Sequence, residues 1–121
     1  MAKIYISGKI EGVKDYKEKF LEAEYYLSNV FLKWMDSKAQ IIINPATKGI
    51  ELQALYMCKY KRLPTYEEYL SNDIKELADG CTSIFMLENW EDSKGAKIEL
   101  DLAQKLGLTI YYEKDVKKEY I

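Results

Sequence analysis

The sequence predicts a three-layer α/β sandwich of the Rossmann or flavodoxin-like type, with a mainly parallel four-stranded sheet in the order 2-1-3-4. Three observations carry that prediction. Four short runs rich in β-branched and aromatic residues, 3–8, 39–43, 81–87 and 108–112, alternate with stretches of helical periodicity, the pattern of strands joined by crossover helices. The first three runs are followed by polar loops (Ser7-Gly8-Lys9, Asn44-Pro45-Ala46 and residues 90–93), where open α/β sheets place their ligands. The chain of 121 residues fits one domain and is long enough for a real core.

In order along the chain, Lys3-Ile4-Tyr5-Ile6 reads as a central parallel strand, with Ser7, Gly8 and Lys9 at its C-terminal end and Gly12 keeping the loop open. Gly8 alone is a weak phosphate-loop signal, and no GxGxxG or P-loop is present. Residues 14–35 read as one long helix, because Tyr16, Phe20, Ala23, Leu27, Val30, Phe31 and Trp34 recur at helical spacing; Glu24 lies at the side of that stripe as an ion-pair or capping partner. The second strand, 39–43, is stopped at Asn44 by Pro45, which disfavours helix at the residue before it. Residues 46–65 form a lid or an insertion: a short helix through Ile50, Leu52, Leu55, Tyr56 and Met57, then the basic Lys59-Tyr60-Lys61-Arg62 and Pro64. Thr65 and Glu68 make a capping box for a helix running to about 79. The third strand, 81–87, leads through Trp90, Glu91, Asp92 and Ser93 into a last major helix, capped by Asp92 or Ser93 and ended at Gly107. A fourth strand, 108–112, and a polar tail, 113–121, complete a single domain over 1–121. Tyr5, Ser7 and Gly8 and the 90–93 loop then border the crevice between the first and third strands, where the strand order reverses.

Two acids break this pattern. In the last major helix Ala96, Ile98, Leu100, Leu102, Ala103 and Leu106 form an apolar arc, and Glu99 falls inside it. In the preceding helix Tyr66, Tyr69, Leu70, Ile74 and Leu77 form the arc, and Asp73 sits in its middle. A carboxylate facing a core is costly unless something needs it there. Each taken alone fits a backbone cap or a lysine partner. Together, at one sheet edge, they suit a pair with divided roles, one ionised as nucleophile and one protonated as proton donor. Glycosyl transfer requires that arrangement, since a carboxylate can trap an oxocarbenium-like carbon, and a nearby tyrosine hydroxyl would orient the nucleophile.

Composition narrows the alternatives. Eighteen Lys and Arg against twenty Asp and Glu give a net charge of −2, without the basic footprint of a nucleic-acid-polymer binder. No histidine is present, which removes His-based metal sites and Ser-His-Asp or Cys-His catalysis. Cys58 and Cys81 lack metal-like spacing and read as reduced thiols of a cytoplasmic protein. No signal peptide or membrane span is expected, and no metal or other cofactor. Eleven tyrosines suit core and rim packing, with a few left for stacking on a base.

Lys3 to Gly8, Ala23-Glu24, Asn44-Pro45-Ala46, Asn72-Asp73, the run from Trp90 to Ala96, Glu99, Ala103 and Leu106-Gly107 resemble the small phage and bacterial DUF4406 proteins over nearly the whole chain. These in turn resemble nucleoside 2-deoxyribosyltransferases. The resemblance implies that Glu99 is the nucleophile that attacks the anomeric carbon, that Asp73 helps protonate the leaving base, and that Tyr5 contacts the nucleophile. It further implies ligand contacts from Ser7, Gly8, Asn44, Trp90, Asp92, Ser93, Gly95 and Ala96, and a homo-oligomer with sites at subunit contacts. Where the enzymes carry Asp-x-Gly-Thr this chain has Ser93-Lys94-Gly95-Ala96. A neutral residue in place of the substrate-holding aspartate leaves several outcomes open: a different sugar, a 5′-phosphate, hydrolysis, or binding without turnover. Two functions are therefore expected. One is cleavage or exchange of an N-glycosidic bond in a nucleoside or nucleotide. The other is a phage protein that sequesters a nucleotide-derived host immune signal in the same pocket, in the host cytoplasm.

Overall fold

β1 (Ala2–Ser7) lies inside a four-stranded sheet whose order is β2-β1-β3-β4, with β2 (Gln40–Ile43), β3 (Ser83–Met86) and β4 (Thr109–Tyr112). Every pairing is parallel: Ile4 lies opposite Ile42 and Ser83, and Phe85 opposite Tyr111. The computed structural model describes residues 2–31 and 40–120. The four crossover helices among them are α1 (Tyr16–Tyr26), α2 (Pro45–Tyr60), α3 (Tyr66–Ala78) and α4 (Lys94–Lys105), and α5 (Glu113–Tyr120) follows β4.

The alternation of β1 sorts the helices into two layers. Ile4 and Ile6 face Phe20 and Ala23 of α1, Leu27 just after it, and Val116 of α5. Tyr5 faces the other way, with Leu77 of α3 and Ala96, Leu100 and Ala103 of α4. Because the chain steps from β1 out to β2 and then back past β1 to β3, crossovers of one hand must fall on opposite faces. Ser83, Ile84, Phe85 and Met86 of β3 are all buried, as a strand covered on both sides requires. Burial of large side chains such as Phe20, Leu27 and Phe85 supplies about 1.5–3 kcal/mol each. Among the described residues no helix is long and apolar enough to cross a membrane. Cys58 is exposed and Cys81 buried, and both are free thiols.

Several elements depart from the sequence expectation. The first helix is α-helical only over Tyr16–Tyr26 and widens into a π-helical turn over Leu27–Phe31. Its expected continuation through Trp34, the side chains of Val30 and Phe31, and the expected strand start at Ala39 lie outside what is described. The segment after β2 carries a helix of 16 residues, with Asn44 as its N-cap and Pro45 in its first turn. The expected polar tail holds a helix, α5, whose Val116 is buried in the α1 layer; a valine within a run of charged residues leaves no periodic signal. In α4 the buried positions are Ala96, Glu99, Leu100 and Ala103, and Leu106 is exposed. The buried face is thus centred closer to Glu99 than the apolar arc suggested.

Candidate functional site

Glu99 sits one turn into α4, on the face that packs against the sheet. Ser93 starts that helix, its hydroxyl accepting from the Ala96 amide at 3.0 Å; Gly107, at φ +75°, ends it. The register makes Glu99 5% exposed, under the C-terminal half of β1. There the Tyr5 hydroxyl donates to its Oε2 at 2.5 Å and the Ser7 hydroxyl donates to its Oε1 at 2.6 Å. Tyr5 and Ser7 are two apart on one strand, so both project to the α4 side, and each serves one carboxylate oxygen. Gly8 follows because nothing larger fits: a Cβ there would lie 2.7 Å from Leu87 Cδ1 and 2.9 Å from Leu87 Cβ. The Leu87 amide donates to the Ser7 carbonyl at 2.8 Å and holds that approach.

Glu99 borders a cavity of about 730 Å³ at the C-terminal edge of β1 and β2, a size suited to a small-molecule ligand. Tyr5, Gly8 and Lys9 come from β1 and its loop, Pro45, Ala46, Gly49 and Gln53 from α2. Tyr66, Tyr69, Leu70 and Asp73 come from one face of α3, and Asp92 through Ala96 from the turn before α4 and its first residues. Tyr16 and Phe20 of α1 close the remaining side. The cavity therefore joins aromatic rings to carboxyl groups; besides Glu11 and Asp92 these are Glu99 and Asp73.

The electrostatics separate those two groups. Burial pushes Glu99 up to about 7, against the opposing pull of the Ser7 and Tyr5 hydroxyls. Burial also pushes Asp73 up, and the charges of Glu99 and then Glu76 push it further, to about 8. Among the described residues no ion pair or hydrogen bond to a side chain offsets this at Asp73. Glu99 thus ionises first, and its charge keeps the proton on Asp73, so the two values belong to a coupled pair. Burial, then the charges of Glu99 and Asp73, hold the Tyr5 phenol well above its ordinary value of 10. It stays a donor.

Of the residues singled out in the sequence, Tyr5, Gly8, Asp73, Asp92, Ser93, Gly95, Ala96 and Glu99 line one cavity. Three lie elsewhere. Ser7 is fully buried behind Glu99 and reaches the cavity only through it. Asn44 caps α2 through the Ala46 amide and donates to Glu24 Oε1, both at 3.0 Å. Trp90 packs against Tyr112, with ring centroids 5.8 Å apart and planes tilted by 43°, and lines a second, smaller hollow at the β3–β4 edge. Sequence reasoning did not assign Tyr66 and Tyr69 to the site, although their spacing from Asp73 on one helix face was the available signal. Gln53 gave no signal, because the register of α2 was not legible. Among the described residues no group of three or more His, Cys, Asp or Glu is placed to hold a metal ion.

Residues 2–112 match the model of a family described as a domain of unknown function, DUF4406. No curated protein and no solved structure matches the chain.

Proposed function

The chain belongs to the DUF4406 family, and we propose that its cavity takes a nucleoside or nucleotide and cleaves or exchanges the N-glycosidic bond through a carboxylate nucleophile. The ionised Glu99 attacks C1′, the C1′–N bond breaks, and its electron pair leaves with the base. Asp73 gives its proton to that base nitrogen. A glycosyl ester on Glu99 results, and water or a second base, deprotonated by Asp73, then takes the sugar and regenerates the free carboxylate. Tyr5 and Ser7 hold both Glu99 oxygens and moderate the charge between steps. The tyrosines of the cavity wall offer flat faces for the base.

The observation that carries this reading is the unequal pair: a buried carboxyl with a hydroxyl donor on each oxygen, and a second carboxyl in the same cavity that holds its proton to about 8. That matches nucleophile and acid, and among the described residues neither acid is accounted for by an ion pair. A second reading, capture without cleavage, draws on Ser93. It stands where the transferases carry a substrate-holding aspartate, and its oxygen is engaged by the Ala96 amide.

Purified protein incubated with 2′-deoxynucleosides, ribonucleosides and their 5′-phosphates, then denatured and analysed by chromatography, separates the two. Free base and sugar, or an exchanged base, are expected. Intact ligand released in stoichiometric amount would replace catalysis with sequestration, and no binding of any member would end both readings. We also propose a homo-oligomer, supported by Ile50, Leu55 and Met57, which α2 leaves about half exposed. Sedimentation at micromolar concentration is expected to give a mass above the 14.2 kDa of one chain; the monomer mass alone would remove this part of the proposal.

A further inference from the structure

We propose that Arg62 is a positioning residue for the cavity: its side chain clasps the end of α2 to the start of α3 and so fixes the α3 wall, from Tyr66 to Asp73, opposite Glu99. The proposal rests on reading that cavity as the functional site. It begins from where the α2–α3 connection is not held. From residue 47 to residue 63 nothing is buried, and Pro64 is the next buried residue. No fully buried side chain therefore sets how α2 hands the chain to α3, although the first two turns of α3 supply four residues of the cavity.

Arg62 supplies the constraint instead. Its Nη1 donates to Glu68 Oε1 at 2.8 Å and its Nη2 to Glu68 Oε2 at 3.2 Å, a two-point fork. Nη1 also donates to the Leu63 carbonyl at 3.1 Å. The guanidinium lies 5.3 Å from the Tyr56 ring centroid and 5.5 Å from that of Tyr60, both on the last two turns of α2. Glu68, in turn, accepts from the Thr65 amide at 2.9 Å, and its own amide donates to Thr65 Oγ1 at 3.2 Å. One cation therefore ties α2, the turn and the first turn of α3 together. Lys61, just before it, is held at φ +59°, a left-handed conformation that a non-glycine residue keeps only where its surroundings enforce it. The basic run thus does not present Arg62 to a ligand: its fork is closed on Glu68, which Arg62 and the Thr65 amide hold down at about 2.

Arg62→Ala and Arg62→Lys, each checked for folding by circular dichroism, test the clasp through two readouts that need no turnover. Carboxyl carbon NMR follows the titration of Asp73, whose titratable neighbours are Glu99, Glu76 and Tyr5. Hydrogen exchange follows the amides of residues 66–73. Removing a cation raises a carboxyl's pKa if charge alone matters, whereas loosening the wall admits water and lowers it. The expected result is a fall of about one pH unit or more at Asp73 in both variants, with faster exchange over 66–73 and little change in melting temperature, as for an exposed pair. Lysine is expected not to rescue, since it keeps the charge but not the fork or the stacking. An upward move in Arg62→Ala alone, unchanged titration and exchange in both, or loss of the whole fold in both would each overturn the proposal. A failure of glycosidic chemistry leaves these readouts intact, so the two claims fall separately.

Discussion

Glu99→Gln is expected to lower turnover of an N-glycosidic substrate by about 10³-fold or more while leaving the protein folded and the cavity able to bind. The expectation follows from what the amide keeps and loses. It keeps the volume of a side chain that is 5% exposed, and it can still engage the Tyr5 and Ser7 hydroxyls. It loses the negative oxygen that would form the bond to C1′. The same variant reports on stability, and the sign can be worked out. Glu99 binds its proton more tightly in the folded chain, at about 7, than its ordinary 4.5. Stability conferred by the protonated form is therefore complete at low pH and is lost as pH rises from 4.5 through 7. The full change from 4.5 to about 7 corresponds to about 3 kcal/mol. Denaturant unfolding at pH 5 and pH 8 is expected to show wild-type protein losing stability over that interval, and Glu99→Gln losing less. Equal losses in both proteins would mean that Glu99 is not held in the environment described.

The pH dependence of turnover is the second large effect. A nucleophile that must be ionised and an acid that must be protonated give a bell-shaped rate profile. With Glu99 at about 7 and Asp73 at about 8, the optimum is expected between those values. The two limbs are macroscopic properties of the pair, so the variants, rather than the wild-type curve, assign them. Asp73→Asn is expected to cost about 10²–10⁴-fold and to remove the alkaline limb. Substrates whose base leaves readily should suffer least. Tyr5→Phe removes a donor that favours ionised Glu99, so its acid limb should move to higher pH, and Ser7→Ala should do the same by the same route. A profile without an acid limb, or one that Tyr5→Phe leaves in place, would separate Glu99 from the rate.

Much of the fold was legible because its determinants are periodic. Phe20, Ala23 and Leu27 repeat at helical spacing, Ile4 to Ile6 form a short apolar run, and Thr65 with Glu68 spells a cap. Glu99 and Asp73 were legible for the same reason, as exceptions to a period: a carboxylate among Ala96, Leu100 and Ala103 needs a cause. What was not legible depends on single contacts. Val116 anchors α5, in a run that otherwise reads as polar tail. Trp90 could stack toward the cavity or toward Tyr112, and only the turn of the chain after β3 decides it. Ser7 alternates with Ile6, which places it on the Glu99 side, but the depth that makes it a partner of the carboxylate comes from tertiary packing. Arg62, in the basic run that follows the short helix expected from the sequence, is committed to Glu68 by the α2–α3 turn. A spacing of six residues across a turn carries no helical or strand signal.

The central claim is that Glu99 is the nucleophile, and a covalent sugar tests it directly. Cleavage after lysine releases residues 98–105, a peptide whose only glutamate is Glu99. Protein incubated with a cleavable nucleoside or nucleotide, quenched in acid and digested, is expected to yield that peptide with the added mass of one glycosyl unit. Fragmentation should place the unit on Glu99 rather than Asp101, and the adduct should be absent from Glu99→Gln. Base released at an undiminished rate by Glu99→Gln would contradict the account.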